Sequence, residues 1–272
     1  MGVRLIATDL DGTLLRRDGT ISDRTRSALA RAVAAGIDLV VVTARPPRYL
    51  DAIVERLDLR GVAICANGAL LYDLARREVV GERSLDQATA RTVVAALAPL
   101  EAGIGFAVET GTRVVFEPSF AKEDNGDVRH PVPSLDAMWQ HGLPIVKLLV
   151  WSADTHADAL LTAAVAAVAG AAEVTHSGGR GLLEVSAVGV TKVAALAEIC
   201  AARGISSHDV IAFGDMPNDI AMLTWAGRGY AVANAHPDVI AAADSRTRSN
   251  EEDGVAAVVE RLMDFPAVGG PL

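Results

Sequence analysis

The chain has 272 residues, 51% of them hydrophobic and 22% charged, with 34 acids against 25 Lys and Arg for a net charge of −9. This length allows one large domain or two ordinary ones around a sizeable core. The acidic balance argues against a nucleic-acid surface, which requires clustered Lys and Arg, but does not veto an anionic substrate.

The most apolar helical stretch, 157–172, is mostly alanine and too short to span a membrane. The N-terminus runs into a strand and then acids within ten residues, unlike a signal peptide. Cys65 and Cys200 lie in apolar segments without metal-ligand spacing, which reads as buried thiols in a reducing compartment. A soluble, cytoplasmic protein is expected.

The run from Val3 to Ala7 predicts a buried strand that ends in Asp9, Asp11, Gly12 and Thr13. Alternation on a strand would put both acids on one face, so the strand has to end there. A helix follows over 24–35, capped by Ser22 and closed by Gly36. The β-branched run 37–42 predicts a strand buried on both faces, ending at Thr43-Ala44-Arg45-Pro46-Pro47. The prolines start a helix through Leu57, and 62–65 is a third strand ending at Asn67-Gly68. Strand, helix, strand in repetition means a parallel sheet with right-handed crossovers. The residues after each strand then gather along one edge, where such sheets bind ligands.

From about Ser84 the rhythm changes. A helix over 86–97 precedes a strand pair at 104–108 and 113–116, then a Pro- and charge-rich loop over 118–133. A strand over 145–151, a helix over 156–169 and strands at 173–176 and 182–186 follow. Helix then paired strands, twice, predicts an α+β unit with an antiparallel sheet. The first rhythm resumes with a helix over 191–203, a strand over 210–213 and a helix over 218–226. A strand over 229–233 and helices over 237–243 and 254–263 complete it, and the tail 266–272 is expected to fray. The expected fold is α/β: a Rossmann-like parallel-sheet core of residues 1–83 and 188–272, with an α+β domain, 84–187, inserted.

A second acidic cluster, Gly214-Asp215-Met216-Pro217-Asn218-Asp219, follows the buried strand 210–213. Asn218 as a helix cap and Asp219 at a helix start account for part of it, but leave Asp215 without a role. If both acidic strand ends meet, four carboxylates raise one another's pKa unless a cation sits among them. Oxygen ligands of this kind suit Mg²⁺, and no His/Cys set offers a zinc alternative. Lys192 opens a helix, where it opposes the helix dipole unless it faces an anion. Thr43 directs a hydroxyl at the same edge.

Asp9-Leu10-Asp11-Gly12-Thr13, Thr43, Lys192 and Gly214-Asp215-x-x-Asn218-Asp219 resemble, in order, the four motifs of the haloacid dehalogenase superfamily of phosphohydrolases. The insertion between the second and third motifs resembles the cap of its Cof-like branch, subfamily IIB. Cys65-Ala66-Asn67-Gly68-Ala69 and Ala233-Asn234-Ala235 agree as well, although Ala44 and Ala233 stand where that branch often has Gly.

The resemblance implies that Asp9 attacks phosphorus and that Asp11 is the acid and then the base. It implies Mg²⁺ on Asp9, the Asp11 carbonyl and Asp215, with Asp219 in or near the second coordination sphere. Thr43, Lys192 and Asn218 would hold phosphoryl oxygens, with Arg45 and Asn67 as candidates for substrate or cap contact. Lys147, His176 and Arg180 are polar positions in the insertion that could touch substrate, but a solvated surface is the safer expectation for each. The implied activity is a Mg²⁺-dependent phosphatase for a small phosphorylated metabolite, a sugar phosphate or phosphorylated cofactor. A phosphotransferase or mutase, and a non-catalytic sugar-phosphate sensor, are the alternatives.

Overall fold

A computed structural model describes residues 2–57, 60–122, 128–178 and 180–264; the tail expected to fray lies outside these residues. The chain opens with β1 (Leu5–Thr8), buried at all four positions. Next, α1 (Asp23–Ala34) is started by the Ser22 hydroxyl, which accepts from the Thr25 N–H. β2 (Asp38–Val41) leads to a 3-10 turn at Pro47–Tyr49 and then α2 (Asp51–Leu57). One helix from the prolines to Leu57 was the expectation; it is broken at Leu50.

β3 (Val62–Cys65), β4 (Leu70–Asp73) and β5 (Glu78–Glu82) form a small antiparallel sheet. The insertion supplies α3 (Gln87–Leu97), β6 (Gly105–Glu109), β7 (Val114–Phe116), β8 (Arg129–Pro131) and α4 (Leu135–Met138). It continues through β9 (Lys147–Trp151), α5 (Ala157–Val168), β10 (Glu173–Thr175) and β11 (Leu182–Ser186). The chain returns with α6 (Lys192–Ala202), β12 (Val210–Gly214), α7 (Ile220–Trp225) and β13 (Arg228–Ala231). It ends with α8 (Pro237–Ala242), β14 (Ser245–Arg246) and α9 (Gly254–Asp264).

Five strands form a parallel sheet in the order β14-β13-β12-β1-β2. Alternate side chains of its strands enter different layers. Ile6, Val41, Ile211 and Phe213 pack with Ala28, Leu29 and Ala32 of α1 and Val255 and Val259 of α9. Leu5, Ala7, Val40 and Ala212 pack with Leu196 and Ile199 of α6 and Met222 and Leu223 of α7. A sheet covered on both faces needs strands that are apolar at every position, which explains the continuous runs in the sequence.

The second sheet has the order β10-β11-β9-β6-β7-β8 and is antiparallel except for the β7–β8 pair. One face buries Phe106, Val108, Leu148, Val150, Leu183 and Val185 against α3 and α5. The other carries Ala107, Val114, Leu149 and Leu182, and with them Glu109, Lys147 and Glu184, all buried.

The hairpin β4–β5, the short β8, α4 and the two-residue β14 were not anticipated. β5 is exposed at four of five positions, and β8 lies in the Pro- and charge-rich stretch expected to be loop. Neither carries the apolar alternation that marks a half-buried strand. Among the described residues no helix is long and apolar enough to cross a membrane.

Candidate active site

The strand ends of the parallel sheet place the sequence motifs together. β1 pairs with β12 in a register that sets Thr8 beside Phe213, and the ladder continues with the Asp9 N–H donating to the Phe213 carbonyl at 3.0 Å. Asp9 and the loop after Gly214 therefore leave the sheet side by side. Asp9, Asp215 and Asp219 are all buried, with one oxygen from each within 4.8 Å of the others.

Lys192 ties two of them together. Its Nζ donates to Asp9 Oδ1 at 2.6 Å and to Asp219 Oδ1 at 2.7 Å. The lysine is the first residue of α6, whose N-cap is the Thr191 hydroxyl. The start of α6 fits closely against the turn at Ala66–Gly68: a Cβ on Gly68, at φ +103°, would lie 2.3 Å from the Thr191 carbonyl oxygen. Asp219 spends its other oxygen on the main-chain N–H groups of Asp215 and Met216, at 3.0 and 3.1 Å. It thus shapes the loop and steadies the lysine.

Asp215 Oδ1 accepts from the Thr13 hydroxyl at 2.8 Å. Its Oδ2 lies against Gly12, where a Cβ would come within 2.3 Å; with φ at +75°, glycine is required there on both counts. Asp9, Asp215 and Asp219 each bring an oxygen to the point a shared cation could occupy, and Asp9 Oδ2 and Asp215 Oδ2 carry no hydrogen bond among the described residues.

The electrostatics carry the mark of crowded charge. Burial, then Asp219 and Asp9's other acidic neighbour Asp215, push the Asp9 carboxyl well above the usual range, with Lys192 opposing. Burial, then Asp219, push Asp215 up to about 7. Burial works against the Lys192 ammonium, but Asp219 and Asp9 outweigh it and its pKa rises.

Asp11 stands apart from the cluster. Its side chain is about half exposed, and both its oxygens are held by Arg45, at 2.6 Å from Nε and 2.5 Å from Nη2. Four carboxylates at one point was the expectation; the structure gathers three and turns the fourth toward a guanidinium. Thr43 is buried after β2, and its Oγ1 accepts from the Arg45 N–H at 3.1 Å, leaving the hydroxyl proton free to donate. The Asn218 amide donates to Asn67 Oδ1 at 3.0 Å, while its own Oδ1 is buried without a partner.

Asp9, Asp11, Arg45 and Asn218 open into a cavity of about 490 Å³ whose far wall is the face of the insertion's sheet that carries Glu109, Lys147, Leu149 and Glu184. Two positions given above as solvated are buried instead. Lys147 is 3% exposed: it donates to the Ala44 carbonyl at 2.8 Å and pairs with Glu184 at 3.1 Å. His176 is 1% exposed, whereas Arg180 is exposed as expected. Glu184, which belongs to none of the motifs, joins the two walls, since its other oxygen accepts from the Asn67 amide at 2.5 Å. Asn67 makes this contact from a left-handed backbone, φ 58°. A second bridge runs from Arg48 to Glu109, with paired contacts of 2.7 and 2.8 Å. The available signal was a single charge inside an apolar strand: Glu109, Lys147 and Glu184 each stand alone in such a run. Val114, Phe120, Leu149 and Leu182 supply the apolar part of the wall.

The sequence profile of the haloacid dehalogenase-like hydrolases matches residues 6–259. The chain belongs to the haloacid dehalogenase-like hydrolases. It is 28% identical to 5-amino-6-(5-phospho-D-ribitylamino)uracil phosphatase YwtE of Bacillus subtilis, over 96% of this chain and 98% of that protein. It is 31% identical to the HMP-PP phosphatase of an Enterobacter species, over 88% and 87% of the two chains. Among solved structures, a subclass IIB sugar phosphatase of the same superfamily superposes with a TM-score of 0.79 at 23% identity, over 96% of this chain and 99% of that one. This hydrolase is accordingly a phosphatase, on the α/β fold with a parallel-sheet core.

Proposed function

We propose that this hydrolase cleaves the phosphomonoester of a small metabolite in two steps through a phosphorylated Asp9. The observation that carries the reading is the placement of Asp9: buried at the mouth of the cavity, one oxygen held by Lys192 and the other available. In the first step the free Asp9 oxygen bonds to phosphorus as the bond to the leaving oxygen breaks, and Asp11 gives that oxygen its proton. In the second, Asp11 takes a proton from the water that attacks phosphorus, and Asp9 is released with inorganic phosphate. Because Arg45 occupies both Asp11 oxygens, that pair has to open before Asp11 can pass a proton. The Thr43 hydroxyl and Asn218 amide are set to donate to phosphoryl oxygens, and Lys192 keeps Asp9 oriented.

The donor set fits Mg²⁺. Carboxylates whose burial, and then one another's charge, raise the pKa of Asp9 and Asp215, with Asp215 packed closely against Gly12, are hard oxygen ligands short of positive charge. Asp9 and Asp215 would hold the ion, with Asp219 behind them through the loop and Lys192. The bound ion would neutralise charge on the phosphoryl group as it transfers.

The insertion, read as residues 84–187, serves as a cap on the core of residues 1–83 and 188–272. Its charged and apolar cavity wall faces the leaving group, since the motif residues address only phosphate and metal. A small polar metabolite with an apolar face, such as a sugar phosphate or phosphorylated cofactor of the cytoplasm, suits that wall. The test is hydrolysis of a panel of phosphorylated metabolites and of p-nitrophenyl phosphate. Activity should vanish in chelator and return with Mg²⁺; full turnover in excess chelator would contradict the reading.

A further inference from the structure

His176 has no part in the chemistry above, yet it is fully buried, and neither ring nitrogen makes a well-aligned hydrogen bond. Its surroundings explain where it sits. His176 follows β10 in the insertion, and its Nε2 lies 2.9 Å from Asp158 Oδ1 near the start of α5. The same Asp158 oxygen is 3.5 Å from Nε2 of His236, which belongs to the core as the N-cap of α8. The two imidazoles meet edge to face with centroids 6.3 Å apart. His156, the N-cap of α5, adds a contact of 3.2 Å to the second Asp158 oxygen. One carboxylate of the insertion is thus shared by a histidine on each side of the seam.

What makes this junction more than a surface contact is the main chain of His236. Its N–H donates to the Asp215 carbonyl at 2.8 Å. The residue that Asp158 touches from across the seam is therefore bonded to the loop that carries a carboxylate of the site.

We propose that Asp158, seated by His176, is a positioning residue that clasps His236 when the insertion lies over the core and so fixes the Asp215 loop. This rests on the insertion acting as a cap. A clasp of this kind contributes only while the seam is closed, so it couples closure to the order of the loop. Interaction between contacting residues is revealed by non-additivity: once one partner is gone, removing the other costs little more.

The experiment is a double-mutant cycle of Asp158→Ala and His236→Asn in the full chain. Asp158 is about half exposed, so its truncation leaves no core cavity. Asn retains the N-cap of α8 but is too short to reach Asp158. Circular dichroism establishes that each variant is folded. Two readouts follow. Hydrogen exchange over residues 233–237, without substrate or metal, should speed up by the same factor in either single variant and in the double. With p-nitrophenyl phosphate and Mg²⁺, kcat/KM should fall about three- to tenfold through KM in each variant, again with no further loss in the double. Unchanged exchange in Asp158→Ala, or effects that add in the double, would overturn the clasp. Absence of turnover in the unsubstituted protein would count against the phosphatase reading alone, since the exchange arm still decides the clasp.

Discussion

The two walls of the cavity hold buried charge in different ways. On the core wall, Lys192 joins Asp9 to Asp219, and the main-chain N–H groups of Asp215 and Met216 donate to the remaining Asp219 oxygen. The charges come from strand ends, and Asp9 and Asp215 retain raised pKa values that a cation would relieve. On the insertion's wall, Lys147 and Glu184 neutralise each other from adjacent strands, with an amide and a carbonyl of the core as further partners. The first arrangement leaves unmet charge for a ligand; the second is closed on itself and joins the two parts of the chain. Substitutions of the buried acids and lysine on the core wall should therefore damage every phosphomonoester alike, whereas loss of Asp11 should depend on how far the leaving group needs a proton. Substitutions on the other wall should act on stability and on the choice of leaving group.

The largest effect belongs to Asp9. Asp9→Asn should abolish turnover for all substrates while the protein stays folded, checked by steady-state assay and circular dichroism. A variant that still discriminates among substrates at measurable rates would break the division between the walls. Asp11→Asn should lose ~10²–10⁴-fold for alkyl phosphates and less for an acidic phenol, which leaves without a proton. Equal losses for both leaving groups would remove Asp11 from the proton-transfer role.

On the insertion's wall, Glu184→Ala leaves the Lys147 ammonium buried without its carboxylate, and should cost about 3–5 kcal/mol in denaturant unfolding. Pairing it with Lys147→Met should recover much of that loss, because an apolar pair replaces an orphaned charge. If the double variant is less stable than Glu184→Ala, the two side chains are not each other's main partners. The same double variant should alter the ranking of substrates in a metabolite panel.

A smaller effect is the pH dependence of the metal-free protein. Asp215 is pushed up to about 7 in the folded state, whereas an unfolded aspartate titrates near ~3.9. Between these values the folded chain binds more protons than the unfolded one, so stability falls as pH rises from about 4 to about 7 and then levels. Asp9, shifted the same way, adds to the fall. The Tm of metal-free protein should decline across that window, the decline should shrink in Asp215→Asn, and Mg²⁺ should raise Tm more at pH 8 than at pH 5. A Tm equally flat in both proteins would mean that burial and its acidic neighbours do not raise the Asp215 carboxyl.

These two walls also differ in how far sequence alone reveals them. Asp9, Thr43 and Asp215 each follow a buried parallel strand, and parallel strands bring their ends to one edge, so local pattern predicts a three-dimensional meeting. Lys147 and Glu184 meet through the register of two antiparallel strands, Leu149 opposite Glu184 and Leu148 opposite Val185, which no local spacing encodes. A lone charge in an apolar strand signals that a partner exists, without saying which residue it is. Asp11 shows a different gap: its position follows from the motif, but the guanidinium that turns it aside is 34 residues away and is brought near by the turn after β2. The missed hairpin β4–β5 has its own cause, since Val79 and Val80 are apolar yet about half exposed and break the alternation that a strand search relies on.

The central claim is that phosphate passes through Asp9. Asp11→Asn provides the test, because an acidic phenyl phosphate can still phosphorylate the enzyme while the water step lacks its base. Mixing that variant with ³²P-labelled p-nitrophenyl phosphate and Mg²⁺, quenching in acid and mapping the label should find phosphate on the peptide that contains Asp9. The same treatment of the Asp9→Asn, Asp11→Asn double variant should leave the protein unlabelled. Label retained in the double variant, or inorganic phosphate released by Asp11→Asn with no labelled protein at any quench time, would contradict the account.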